Sequence, residues 1–117
     1  MNESELKQRT KAFALRVIKL VGALPSSSVG HTLGNQLLRS GTSVGANYRA
    51  ACRGRSKAEF ASKLGIVIEE ADECCYWLEL IVEASLLSKE LVAPLLDEAN
   101  QITAIMVASR KTAQGVN

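Results

Sequence analysis

The chain has 117 residues, 47% of them hydrophobic and 22% charged, with two prolines and a formal net charge of +2. This composition excludes a wholly disordered chain, and the length predicts one domain with a core large enough to fold without a disulfide or a metal. No uninterrupted apolar run approaches the roughly 18 residues of a membrane span. The acidic, polar opening Met1-Asn2-Glu3-Ser4-Glu5 predicts no signal peptide, so the expected compartment is the cytoplasm.

The runs between chain breakers are long and helical in period. In the first, Leu6, Thr10, Phe13, Val17, Leu20 and Leu24 recur by fours and threes. They share one face of a helix over about 5–24, with Ser4 as N-cap. Pro25 and Ser26-Ser27-Ser28 end it. The second, about 29–54, carries Leu33, Leu37, Val44, Tyr48 and Ala51 together with Gly30, Gly34, Gly41 and Gly45. Each interior glycine costs a helix about 1 kcal/mol relative to alanine, so one expectation is a kink near Ser40-Gly41-Thr42. The other uses the spacing of four within each glycine pair, which gives a face where a second helix backbone can approach closely.

The third run, about 57–87, opens on a capping box of Ser56 and Glu59. Its seam is Phe60, Leu64, Val67, Ala71, Cys74, Leu78, Ile81 and Ser85, with Ile66, Trp77 and Leu80 off the seam. The fourth, about 89–112, follows Ser88 and places Leu91, Leu95, Ile102 and Ile105 on one face. Pro94 either kinks this helix or opens it. The tail beyond it is expected to fray. The expected fold is all-α: one up-down-up-down antiparallel four-helix bundle spanning 1–117.

Catalytic chemistry is sparsely represented. The glycines follow no strand, so no phosphate-binding loop is indicated. His31 is the only histidine, and Cys52, Cys74 and Cys75 lack metal-ligand spacing. Glu69, Glu70, Asp72 and Glu73 cluster on the third helix, without the Glu-x-x-His partners of a di-iron bundle. We therefore expect no enzyme, no cofactor and no metal.

Charge is more informative. Residues 1–63 hold eleven Lys or Arg against three acidic residues, a balance of +8, and residues 64–117 hold three against nine, a balance of −6. Such asymmetry points to a polyanion-binding face, or to two halves that neutralise each other as a protein–protein adaptor. The candidate nucleic-acid contacts are Arg9, Arg16, Arg49, Arg53, Arg55 and Lys57. The few aromatics lie in apolar patterns, so base stacking is poorly supported. Tyr76, Trp77 and Leu80 are candidates for a subunit interface, with core filling as the alternative for the two aromatics. Ser43 and Asn47 are read as structural polar groups, with Asn47 satisfying a buried partner and ligand contact as the alternative.

Two stretches go beyond pattern. They are Leu38-Arg39-Ser40-Gly41-Thr42-Ser43-Val44-Gly45-Ala46-Asn47-Tyr48-Arg49-Ala50, and Ala58-Glu59-Phe60 followed by Glu70-Ala71-Asp72-Glu73-Cys74-Cys75-Tyr76-Trp77-Leu78-Glu79-Leu80. Over roughly residues 6–110 the chain resembles the bacterial four-helix-bundle family of 23S rRNA intervening-sequence proteins. The resemblance implies a left-handed bundle, a homopentameric ring and an unsettled biochemical role. The accessory variability proteins of diversity-generating retroelements are related bundles. Through them it also implies nucleic acid and, beside a retroelement, a reverse transcriptase as partners. Ala50 departs from the acidic residue often found there in the family, which removes any ion pair built on that carboxylate.

Overall fold

The computed structural model describes residues 1–115. Four helices follow in order: α1 Glu3–Gly22, α2 Ser28–Cys52, α3 Lys57–Glu83 and α4 Lys89–Ala113. No strand occurs among the described residues. The bundle measures 45 × 22 × 20 Å. Each helix packs on the next, α1 also touches α4 more sparsely, and α1 and α3 occupy opposite corners. The fraying expected of the tail falls partly on Val116 and Asn117, outside the described residues.

Local signals set the boundaries. Helix α1 starts two residues earlier than the sequence suggests. Its N-cap is Asn2, not Ser4: Asn2 Oδ1 accepts from the Glu5 amide at 2.8 Å, and Glu5 Oε1 accepts from the Asn2 amide at 3.2 Å. This reciprocal pair satisfies two amides that the first turn leaves unpaired. Ser27, Ser56 and Ser88 cap α2, α3 and α4 by accepting from the amide three residues on, without the reciprocal bond. The expected Ser56–Glu59 capping box is half made, because Glu59 Oε2 accepts from the Arg55 amide at 3.2 Å and not from that of Ser56. Helix α4 begins at Lys89, so Pro94 lies inside it rather than opening it.

Helix α3 stops at Glu83, four residues short of the expected Leu87. The periodic seam runs on to Ser85, but that residue adopts φ 59°, in the left-handed region. The Leu86 amide donates to the Ile81 carbonyl at 3.0 Å and the Ser85 amide to the Val82 carbonyl at 2.9 Å. These are the two bonds of a Schellman terminator, with serine where glycine is usual.

Fully buried side chains from all four helices meet in one core: Phe13, Val17, Leu37, Val44, Leu64, Leu78, Ile81, Val92, Ile102 and Met106. Burying each large apolar side chain is worth about 1.5–3 kcal/mol. The inner face of α4 is Val92, Leu95, Ala99, Ile102 and Met106. It is rotated from the expected one, so Leu91 is 53% exposed and Ile105 only half-buried. By length and composition α4 is long and apolar enough to cross a membrane, although polar residues interrupt its apolar run. Its inner face supplies part of the bundle core.

Helix α2 runs without a break through Ser40-Gly41-Thr42. Three of its glycines face α1. A Cβ at Gly41 would lie 2.7 Å from Val17 Cγ1, one at Gly34 3.1 Å from Leu24 Cδ1, and one at Gly45 3.2 Å from Thr10 Oγ1. The fourth, Gly30, lies under the α1–α2 loop instead, with the Pro25 carbonyl oxygen 2.2 Å from where its Cβ would be.

Gly41→Ala should therefore lose about 1–2 kcal/mol in urea unfolding, because strain against Val17 exceeds the helix-propensity gain. Gly22→Ala, whose Cβ meets nothing within 4 Å, should not. Ser85→Gly should gain about 1 kcal/mol by relieving the left-handed serine.

Candidate nucleic-acid interface

Helix packing sorts the six candidate cations into four places. Arg53 forms the C-cap of α2, Arg55 lies in the turn that follows, and Lys57 is the first residue of α3. All three side chains are exposed at one end of the bundle, and Arg55 and Lys57 line a shallow pocket with Cys52 and Phe60. Arg49 sits one helical turn before Arg53. It lines a groove of about 420 Å³ between α1 and α2, facing Lys7 and Lys11 of α1. Arg16 lies on the other flank of α1, where with Lys19 it borders an apolar cleft against Leu91, Pro94 and Leu95. Lys7 and Lys11 were absent from the sequence-derived set. The signal was available: residues four apart on α1 share a flank, and α1 runs antiparallel to α2.

Arg9 is committed elsewhere. Its guanidinium forms a two-pronged bond with Glu98 of α4, Nε to Oε2 at 2.8 Å and Nη2 to Oε1 at 2.7 Å, and Nη2 also donates to Gln101 Oε1 at 2.8 Å. Hydrogen bonding to Arg9 holds the Glu98 carboxyl below its ordinary range, although burial opposes the shift. Arg39 of α2 reaches across to α3, where it pairs with Glu73 and, at 3.4 Å, with Glu70. The other two ion pairs stay within one helix: Lys7–Glu3 at 3.0 Å and Lys63–Glu59 at 3.2 Å.

The interface candidates divide. Tyr76 projects outward and is 55% exposed. Trp77 is half-buried against the core, and its Nε1 donates to Glu73 Oε1 at 3.1 Å. Leu80 is half-buried. The two rings pack edge to face with centroids 5.1 Å apart.

The polar motif of α2 is internal to that helix. Ser40, Thr42 and Ser43 hydroxyls donate to carbonyls one turn back, Ser43 to Arg39 at 2.6 Å. Asn47 is not the group that satisfies a buried partner. Its Nδ2 donates to the Ser43 carbonyl of its own helix at 2.8 Å, and the side chain is half-buried. The buried polar contact across helices is instead Cys74 Sγ to Ser40 Oγ, at 3.4 Å between α3 and α2. Burial pushes the Cys74 thiol up to about 12 and that of Cys75 to about 11, so both stay protonated and inert near neutral pH. Among the described residues, no three His, Cys, Asp or Glu side chains are placed to hold a metal ion. His31 is exposed near the start of α2.

Comparison with known proteins agrees with this architecture. The sequence pattern of the 23S rRNA-intervening sequence proteins matches residues 2–108. A crystal structure of a protein of unknown function from the S23 ribosomal protein family, from Bacteroides thetaiotaomicron VPI-5482, superposes with a TM-score of 0.85. It is 33% identical, over 91% of this chain and 98% of that one. Among curated proteins nothing matches.

Two measurements check the site's internal chemistry. Glu98→Gln should cost about 1–3 kcal/mol at pH 7, because a charge-assisted bond is lost. The carboxyl is depressed in the folded state, so the wild-type advantage is full above the unfolded carboxylate pKa of about 4.3 and disappears as pH falls through the folded value. In the native protein an aromatic disulfide reagent should titrate half-buried Cys52 first, with Cys74 and Cys75 reacting only on unfolding.

Proposed function

The chain belongs to the family of 23S rRNA-intervening sequence proteins, and from that premise we propose that it is a non-enzymatic bundle that assembles with copies of itself and binds RNA or DNA through a basic surface, without reading sequence. One observation carries the binding. Of the eleven basic residues in 1–63, only Arg9 and Arg39 pair with carboxylates of the acidic half among the described residues. Lys11, Arg16, Lys19, Arg49, Arg53, Arg55 and Lys57 make no ion pair among the described residues. The adaptor reading needs the halves to neutralise each other, and within one subunit they do so at those two arginines alone. Unpaired cations bind phosphates by releasing counterions, with no need for contact to base edges.

Self-assembly is supported by two exposed faces at opposite corners. On α1, Leu15 is 60% and Ile18 48% exposed, one turn apart and flanked by Arg16 and Lys19. On α3, Ile66 and Tyr76 are 47% and 55% exposed among Glu69, Asp72 and Glu79. The faces are complementary in charge and differ from each other, so a contact between them is head-to-tail and closes into a ring at a suitable rotation. Five copies is the number the family resemblance implies. A ring would multiply a weak basic patch into useful avidity.

Fluorescence anisotropy with duplex and single-stranded probes across a salt series should give affinity falling steeply with salt. Absence of binding at 50 mM salt overturns the nucleic-acid reading. Light scattering should give an oligomer for the wild type and smaller species for Leu15→Glu. A wild-type monomer overturns self-assembly.

A further inference from the structure

We infer that the groove between α1 and α2 is a phosphate-binding seat. The inference rests on the nucleic-acid reading above and deepens it, because it localises binding that a diffuse basic surface would spread over the whole end of the bundle. Lys7, Lys11 and Arg49 converge on one depression of about 420 Å³. Between them it is lined by Thr10 and the small residues Ala14, Gly45 and Ala46. It is open there because Gly45 has no side chain where α2 passes Thr10 of α1. A concave site of this volume is in the range of small-ligand sites.

Two of the three cations in the groove are uncompensated. Lys7 shares its ammonium with Glu3 at 3.0 Å, whereas Lys11 and Arg49 have no carboxylate partner among the described residues. A guanidinium donates a matched pair of N–H groups to phosphate oxygens, and an ammonium adds a compact charge beside it. No aromatic ring lines the depression, so nothing in it stacks on a base. The ligand is therefore recognised by its phosphate group and not by its nucleobase. Two sources share this chemistry: a phosphodiester of a nucleic-acid backbone, and a free phosphate. The backbone is favoured by what lies beyond the groove. Arg53 follows Arg49 by one helical turn and leads to Arg55 and Lys57, so a strand leaving the seat meets further cations, which a free phosphate does not need.

The test fills the groove without altering its charge. Ala46 is exposed, and leucine is a good helix former, so Ala46→Leu should fold with unchanged circular dichroism while its side chain occupies the depression. With a labelled single-stranded RNA probe, Ala46→Leu and Arg49→Gln should each weaken binding at least about fivefold. Lys89→Gln, an exposed cation at the start of α4 and outside the candidate contacts, should change it less than twofold. Inorganic phosphate, followed by NMR shifts of the Gly45 and Ala46 amides, reports the second source. Wild-type affinity in Ala46→Leu overturns the seat and leaves general nucleic-acid binding standing. Phosphate shifts without RNA binding support the seat and overturn the nucleic-acid reading. Neither RNA binding nor phosphate shifts overturns both.

Discussion

The bundle depends on how closely α1 and α2 approach. Three positions of α2 that meet α1 or the residues just after it are glycine, and the side chains of Val17, Val21, Leu24 and Thr10 occupy the space a Cβ would need. Glycine weakens an isolated helix, so α2 is a poor helix by itself. It is continuous because the close contact returns dispersion energy that the missing methyl groups forgo. The same contact sets the α1–α2 groove, because its depth is fixed by the absence of a side chain at Gly45.

On the opposite side of α2, contact with α3 combines small and polar groups. Ser40 is fully buried and spends its hydroxyl proton on its own helix, leaving the oxygen to accept from Cys74. At the rim of this interface Arg39 ties α2 to Glu70 and Glu73, and Glu73 also receives the Trp77 indole. These cross-helix bonds consume only part of the opposite charge in the two hairpins. The surplus remains on the surface: cations on α1 and around the α2–α3 turn, carboxylates on the outer face of α3. Ion pairs at exposed positions contribute little to stability, so the surplus bears more on association than on folding.

Fold class and helix number were legible because hydrophobic period and serine caps are local properties of the chain. Three of the four N-caps coincide with a serine immediately ahead of a periodic run. The glycine spacing correctly indicated a close helix contact. The end of α3 was not legible. A serine in the left-handed region carries no distinctive local signal, and the periodic seam extended straight through it. The inner face of α4 was misplaced because Leu91 is as apolar as Leu95, and only packing decides which leucine turns inward. Among the candidate site residues, positive charge alone did not separate Arg9, which is spent on Glu98, from Arg49, which is not. That distinction depends on which carboxylate lies across the bundle, 89 residues away in sequence.

The sparse contact between α1 and α4 has a kinetic side. Helix α1 is held along one flank by close packing on three glycines and along the other by sparser contacts that include the Arg9–Glu98 clasp. It is the first helix in sequence, so only one loop ties it to the rest of the fold. Helices α2, α3 and α4 form a consecutive, well-packed unit without it. The α1–α4 contact is the sparsest in the bundle, so a swing of α1 away from α4 about the α2 contact breaks the least packing, the kind of local opening that precedes global unfolding. In that opened form Leu95 of α4, which borders the cleft beside Leu20 of α1, would meet solvent.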